Sequence, residues 1–158
     1  MKTADLCDKY ADQLKLCKLP LSSYGGKKEF HGFIRTVEVF EDNSLVKESL
    51  QTIEPGTVLV VDGDGSRNCA LLGDLLAGIA ADRKISGIII NGCVRDSSEL
   101  AAIPVGVKAI GTCPFKSKKR GEGTKHIPLS FGEVDWIPGQ YVYADNDGIL
   151  IAERPVHT

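Results

Sequence analysis

The sequence predicts a layered domain of α/β or α+β type, with α/β preferred, and three observations carry that expectation. The stretch 73–99 reads as a helix followed at once by a buried strand, a βαβ-like centre. Short runs rich in β-branched and aromatic residues flank it on both sides, so strands outnumber helices. Finally, 158 residues, 42% hydrophobic and 25% charged, suit one domain spanning 1–158 that buries roughly two thirds of its unfolded surface.

The elements follow in order. Residues 1–17 read as a polar helix, because Leu6, Tyr10, Leu14 and Cys17 fall about one helical face apart; Thr3 is available as N-cap and Pro20 ends it. Residues 22–28 form a loop with Gly25-Gly26. A strand follows over about 30–40, with Phe33, Arg35, Val37 and Val39 alternating with Ile34, Thr36 and Glu38. Asp42-Asn43-Ser44 caps a short helix to about Gln51, whose apolar contacts are Leu45, Val46 and Leu50. Pro55-Gly56 turns the chain into a second buried strand over 57–61, and Asp62-Gly63-Asp64-Gly65-Ser66 leads from it to the centre. There Leu75, Leu76, Ile79 and Ala80 recur at helical spacing, the helix ends near Lys84, and Ile88-Ile89-Ile90 is a strand bounded by glycines. Beyond it, 97–103 is a short helix closed by Pro104, 107–113 a strand, and 116–125 a basic, glycine-containing loop. Residues 126–131 and 134–137 form hairpin strands, Pro138-Gly139 turns the chain, and strands over 141–144 and 148–152 surround Asp145-Asn146-Asp147.

Composition narrows the partners. A net charge of -2 and a pI near 5.9 give no electrostatic reason to expect nucleic acid or an anionic membrane. The apolar runs fall far short of the ~20 residues that a bilayer crossing requires. The N-terminus carries Lys2, Asp5, Asp8 and Lys9 and no apolar signal segment. Five widely spaced cysteines without a CxxC pair suit reduced thiols in a cytoplasmic protein.

The helix-then-strand order places Asp74, at the helix entrance, and Arg95-Asp96, just past the strand exit, on one edge of the layers. Each has an ordinary account: Asp96 and Glu99 fit a D-x-x-E capping box, Asp74 can cap its own helix, and Arg95 can pair with either acid. Their convergence beside glycine-rich backbone points further. The N–H groups from Gly73 to Leu76 suit a carboxylate at a helix N-terminus. Asp96 and Asp74 are hard oxygen donors without nearby His or Cys, suited to Mg²⁺ or Mn²⁺ with several waters retained and unsuited to zinc. Arg95 is a fixed cationic fork able to neutralise an oxyanion, and the set would stabilise an enolate.

Other features carry less. Gly63-Asp64-Gly65-Ser66 lacks a phosphate-loop ending and reads as a tight turn or close backbone approach. His31, His126 and His157 are too scattered to mark a site. Trp136 and Tyr143 read as packing residues, Cys69 and Cys93 as small buried hydrophobes beside the site. The loop 116–125 reads as a solvated connection, and because the lysines cluster there a Schiff-base route is disfavoured.

Asp74 and Arg95 are separated by twenty residues, giving D-x20-R-D through Asp96. That pattern is similar to the motif of the class II 4-hydroxy-4-methyl-2-oxoglutarate aldolases, within the family named for the regulator of ribonuclease E activity A. Leu6-Cys7-Asp8, Val39-Phe40-Glu41-Asp42-Asn43, Val58-Leu59-Val60-Val61-Asp62-Gly63, Asn91-Gly92-Cys93-Val94-Arg95-Asp96 and Tyr143-Ala144-Asp145-Asn146-Asp147-Gly148-Ile149-Leu150 also resemble family landmarks. The resemblance implies a swivelling-type β/β/α sandwich, a homotrimer with sites between subunits, and a divalent metal, Mg²⁺ or Mn²⁺. It implies Gly73, Asp74, Leu75, Leu76 and Arg95 as substrate contacts, Arg95 and Asp74 as catalytic groups and Asp96 as metal ligand. The implied activity is cleavage of a small 4-hydroxy-2-keto acid to pyruvate, with oxaloacetate decarboxylation through the same enolate. The family also implies an alternative, a non-catalytic protein that binds and inhibits ribonuclease E. Relatives of that type resemble this chain but lack the acid corresponding to Asp96, which is present here.

Overall fold

The computed structural model describes residues 2–157. Four helices, α1 (Thr3–Tyr10), α2 (Ser44–Thr52), α3 (Asp74–Asp82) and α4 (Ser97–Leu100), accompany twelve strands among the described residues. The strands are β1 (Lys15–Leu16), β2 (Ser22–Ser23), β3 (Phe30–Glu38), β4 (Val58–Asp62), β5 (Ala70–Leu72), β6 (Gly87–Val94), β7 (Gly106–Thr112), β8 (Thr124–Lys125), β9 (Leu129–Phe131), β10 (Val134–Trp136), β11 (Tyr141–Ala144) and β12 (Ile149–Ala152). None of the described helices is long and apolar enough to cross a membrane.

The long strand β3 joins two layers. Its first half, from Phe30 to Phe33, pairs antiparallel with β11, which continues through β12 to β1. Its second half, from Ile34 to Glu38, pairs parallel with β4, and the sheet runs on through β6 and β7 to β2. Val58 to Val61 and Ile88 to Ile90 are wholly buried, as continuous apolar runs should be in parallel strands covered on both faces. On one face Leu59, Val61, Ile88 and Ile90 pack under α2 and α3. On the other, Val58, Val60 and Ile89 meet Trp136, Val142 and Ile151 of the second β layer. Helix α1 covers the outside of that layer through Leu6, against Tyr141, Tyr143 and Leu150. The result is the expected β/β/α layering, with one small helix outside it. Phe30 locks the strand starts: a Cβ on Gly87 or Gly106 would lie 2.2 or 2.1 Å from its ring, so both positions need glycine for close approach.

Several boundaries differ from the sequence expectation. The first helix ends at Tyr10 and a short 3₁₀ turn, because Lys15–Leu16 pairs with β12 instead and the Cys17 N–H donates to Ile149. Thr3 does not cap it. Asp145 does, from 142 residues away, accepting the Thr3 N–H and hydroxyl at 2.7 Å each. The expected loops at 22–28 and 116–125 contain the short strands β2 and β8, and β5 is a strand with no earlier expectation. The helix over 97–103 stops at Leu100, and the strand expected over 126–131 begins at Leu129.

The parallel strands β4, β5, β6 and β7 all end at one edge, and the chain leaving β5 and β6 supplies the residues of interest there.

Candidate functional site

Strand β5 ends at Leu72, whose carbonyl accepts the Arg95 N–H at 3.0 Å, so the exits of β5 and β6 are tied together. Gly73 follows as the N-cap residue of α3 and has no side chain to cap it. Asp96 fills the gap: its Oδ2 accepts the Asp74 N–H at 3.0 Å. Asp96 reaches there because its backbone is left-handed, φ 59° and ψ 42°, which turns its carboxylate away from its own helix α4 and toward α3. The D-x-x-E capping box therefore does not form. A left-handed non-glycine residue costs on the order of 1 kcal/mol, a strain that asparagine and aspartate tolerate best. Gly73 is the complement of this arrangement, since a Cβ there would stand 2.6 Å from the Asp96 Oδ2.

Arg95 lies beside the same turn, its Cγ 3.5 Å from that Cβ position, and its Nη1 donates to the Pro114 carbonyl at 3.4 Å. Among the described residues it pairs with neither Asp74 nor Asp96. Asp74 and Leu75 are exposed, Leu76 and Asp96 half-buried, so the structure brings all six sequence-selected residues onto one open shelf. One expectation changes: the first helical N–H, offered to an outside anion, is already taken by Asp96, and the donors left in that turn are those of Leu75 and Leu76. No group of three or more His, Cys, Asp or Glu able to cage a metal occurs among the described residues. The half-buried Asp96 carboxylate and Asp74 beside it are hard oxygen donors, a set suited to a water-rich Mg²⁺ or Mn²⁺ and not to zinc.

Around the shelf are groups that sequence reasoning missed. Asp62 accepts the Asp64 N–H at 2.9 Å and the Asn91 amide at 3.0 Å, which fixes 62–66 as the expected tight turn. Glu41 accepts from Ser66 at 2.6 Å and Asn68 at 2.8 Å, and these bonds hold its carboxyl below the usual range. The loop 116–125 is not merely solvated. Buried Asp42 accepts the N–H groups of Arg120 and Glu122 and both donors of Ser44. Burial pushes that carboxyl up, but the bonds from Ser44, Arg120 and Glu122 together outweigh it and bring the pKa from 3.8 to about 2. Between this loop and the ends of β3 and β4 lies a cavity of ≈ 610 Å³ lined by Glu38, Asp62, Asp64, Lys118, Arg120 and Glu122 among others.

Other residues stand apart. Lys108, outside the lysine-rich loop, is buried; desolvation lowers its pKa and its Nζ donates to the Asp145 carbonyl at 2.6 Å. It pairs with Ile89, five residues before Val94, and so stands roughly 17 Å down the strand from the shelf. His31 and His157 do meet, with ring centroids 5.0 Å apart, but on the outer face of the second β layer among Tyr141 and Tyr143. Trp136 and Tyr143 are core residues, as expected. Cys17, Cys69, Cys93 and Cys113 are buried free thiols, and burial pushes those of Cys69 and Cys93 upward.

Comparison with known proteins gives a consistent picture. The RraA-like family model, described as Aldolase/RraA, matches residues 3–151. A protein of Bacillus anthracis provisionally named 4-hydroxy-4-methyl-2-oxoglutarate aldolase is 56% identical over 99% of this chain and 98% of its own length. One of the same provisional name from Pseudomonas syringae pv. tomato is 48% identical over 98% of this chain and 95% of its own. Among solved structures, a Geobacillus kaustophilus protein described as an S-adenosylmethionine:2-dimethylmenaquinone methyltransferase superposes with a TM-score of 0.97 at 61% identity, covering 99% of this chain and 97% of that one. The RNA-processing inhibitor RraA of Thermus thermophilus superposes with a TM-score of 0.94 at 39% identity, covering 99% and 95%.

Proposed function

The chain belongs to the RraA-like family, and from that premise we propose that it is a divalent-cation-dependent lyase that cleaves 4-hydroxy-4-methyl-2-oxoglutarate and related 4-hydroxy-2-keto acids to pyruvate. The observation that carries this reading is the left-handed Asp96, whose carboxylate is swung onto the Gly73 turn next to an unpaired Arg95. The left-handed backbone is what brings the carboxylate to α3, and a structural cap alone does not call for an arginine without a carboxylate partner beside it.

Asp96 would hold Mg²⁺ or Mn²⁺, which supplies Lewis acidity to the carboxylate and carbonyl oxygens of the 2-keto acid end. The Leu75 and Leu76 N–H groups orient that carboxylate at the start of α3. Asp74 holds the water that takes the proton of the 4-hydroxyl as the C3–C4 bond breaks. Arg95 lies over the oxygen on which negative charge gathers, and protonation of the pyruvate enolate completes a second pyruvate. Oxaloacetate reaches the same enolate by losing CO₂, so decarboxylation accompanies the aldolase activity. A Schiff-base route finds no buried amine at the shelf: Lys108, the lysine that is buried among the described residues, stands against Asp145 and away from Arg95.

The test is pyruvate release from 4-hydroxy-4-methyl-2-oxoglutarate with Mg²⁺ and with chelator, for the parent and for Asp96→Ala. Chelation and the substitution should each cost at least ~10²-fold in rate with the circular dichroism unchanged. Full rate after chelation, or a borohydride-trapped adduct with pyruvate, would overturn the scheme. A second reading, an inhibitor of ribonuclease E, draws on the likeness to the Thermus thermophilus protein over the whole chain. Pull-down of ribonuclease E by a chain that releases no pyruvate would favour it. Methyl transfer is not proposed, because the turn at 62–66 runs into β5 and not into a helix able to cradle a nucleotide.

A further inference from the structure

We propose that Arg67 is the specificity residue of this shelf, reading the far carboxylate of a diacid substrate while the 2-keto acid end lies at Arg95 and Asp96. The inference rests on the 2-keto acid reading above and adds the residue that receives the second carboxylate of such a substrate.

Arg67 lies in the connection between β4 and β5, and the residue as a whole is exposed. Its guanidinium nevertheless reaches β7. Nη2 donates to the Ile110 carbonyl at 3.4 Å, and Nη1 occupies the space that a Cβ on Gly111 would need, 2.7 Å from that point. Gly111 is the β7 partner of Cys93 on β6, and the Cys93 Sγ is 4.0 Å from the same point. The side chain thus starts on the β5 side of β6, crosses above Cys93 and ends on β7, in space that the missing side chain of Gly111 leaves.

The face it occupies is the face of Arg95. Val94 points into the core beneath the helices, so its neighbours Cys93 and Arg95 project to the opposite side. One guanidinium therefore sits at the Cys93 row and the other side chain is rooted two residues further on, and the carbonyls that they contact, Ile110 and Pro114, are four residues apart, at most about 14 Å along the chain. Each contacts a carbonyl of β7 or of the chain just past it, Ile110 within the strand for Arg67 and Pro114 beyond it for Arg95, and neither has a carboxylate partner among the described residues. The terminal carboxyl carbons of an extended five-carbon diacid lie about 5 Å apart, given carbon–carbon bonds of ~1.5 Å. Each fork stands about one hydrogen-bond length, ~2.8 Å, beyond the carboxylate that it binds, so two uncompensated forks within the span of those anchors suit a dianion with carboxylates at both ends, and a planar fork binds such a group through paired N–H donors. A monoacid such as pyruvate would leave the Arg67 fork without a ligand.

The competing account is that Arg67 only seals Cys93, which has no exposed surface. Calorimetric binding in Mg²⁺ buffer separates the two, using 2-oxoglutarate as the diacid probe and 2-oxobutyrate as the monoacid probe, on the parent, Arg67→Met and Arg67→Lys. The parent should bind the diacid more tightly, and Arg67→Met should shrink the diacid-to-monoacid preference by about 10- to 100-fold, the worth of a charged hydrogen bond. Arg67→Lys should restore part of the preference, the point charge without the fork. No preference in the parent, equal weakening of both probes, or an unchanged preference with only a faster Cys93 thiol reaction would each overturn the assignment. Because the readout is binding, a parent that prefers the diacid but releases no pyruvate from any 4-hydroxy-2-keto acid would remove the lyase reading and leave Arg67 as a diacid contact.

Discussion

At residue 73 the absence of a side chain decides where a carboxylate can sit. The φ of Gly73 is -135°, a value open to any residue, so no backbone reason demands glycine there. The demand comes from Asp96, whose Oδ2 lies 2.6 Å from where a Cβ would be. Gly73→Ala should therefore spare the helix and the melting temperature, within a few degrees, and displace Asp96. Pyruvate release should fall by about 10²-fold, as expected when a positioned group shifts by an ångström. Steady-state kinetics beside calorimetric melting checks this; an unchanged rate would show that the Asp96 position is not used. The same reasoning explains why Asp96 was ambiguous in sequence. D-x-x-E fits a capping box in one dimension, and only the sign of φ at Asp96 shows that the carboxylate serves a different helix.

At the scale of elements, two carboxylates pin segments that are far apart in sequence. Asp145 caps α1 through Thr3, and Asp42 holds the loop 116–125 through the backbone N–H groups of Arg120 and Glu122. Burial raises both pKa values in part, but the hydrogen bonds outweigh it and leave both carboxyls lowered, that of Asp42 to about 2. A carboxyl lowered in the folded state contributes stability that is present above its unfolded pKa and lost as pH falls through the folded one. Urea midpoints should thus hold from neutrality to about pH 4 and decline between pH 4 and 2. Asp42→Asn should lower the midpoint at pH 7 and flatten the decline. A decline of unchanged steepness in the variant would assign the acid sensitivity to other groups. Neither pin was legible beforehand, since Asp42 read as a local helix cap and Asp145 as a turn residue; partners 78 and 142 positions distant leave no periodic trace.

For the whole molecule, the shelf is a surface that one chain leaves open. Leu75 is 79% and Phe115 73% exposed, and they flank the Arg95 side of the site: Leu75 opens α3, and Phe115 follows the Pro114 carbonyl that Arg95 contacts. Large apolar side chains so placed suit burial against a second copy, as in the homotrimer with sites between subunits that the family resemblance implies. Sedimentation should show a trimer, and Phe115→Glu should convert it to monomer and abolish pyruvate release together. A monomeric parent with full activity would refute the arrangement. Buried apolar runs such as Val58 to Val61, and Ile88 to Ile90, announced the parallel core, because strands covered on both faces must be apolar throughout. Helix order and strand order likewise brought Asp74, Arg95 and Asp96 to one edge. The sequence by itself thus determined the layering and the placement of Asp74, Arg95 and Asp96 on one edge, for these depend on local periodicity and chain order. Only the tertiary structure decided that Asp96 caps α3, that Arg67 lies across β6 in the Gly111 slot, and that Asp42 ties the basic loop. Those contacts depend on the register between strands and on single backbone angles, which residue identity biases but does not fix.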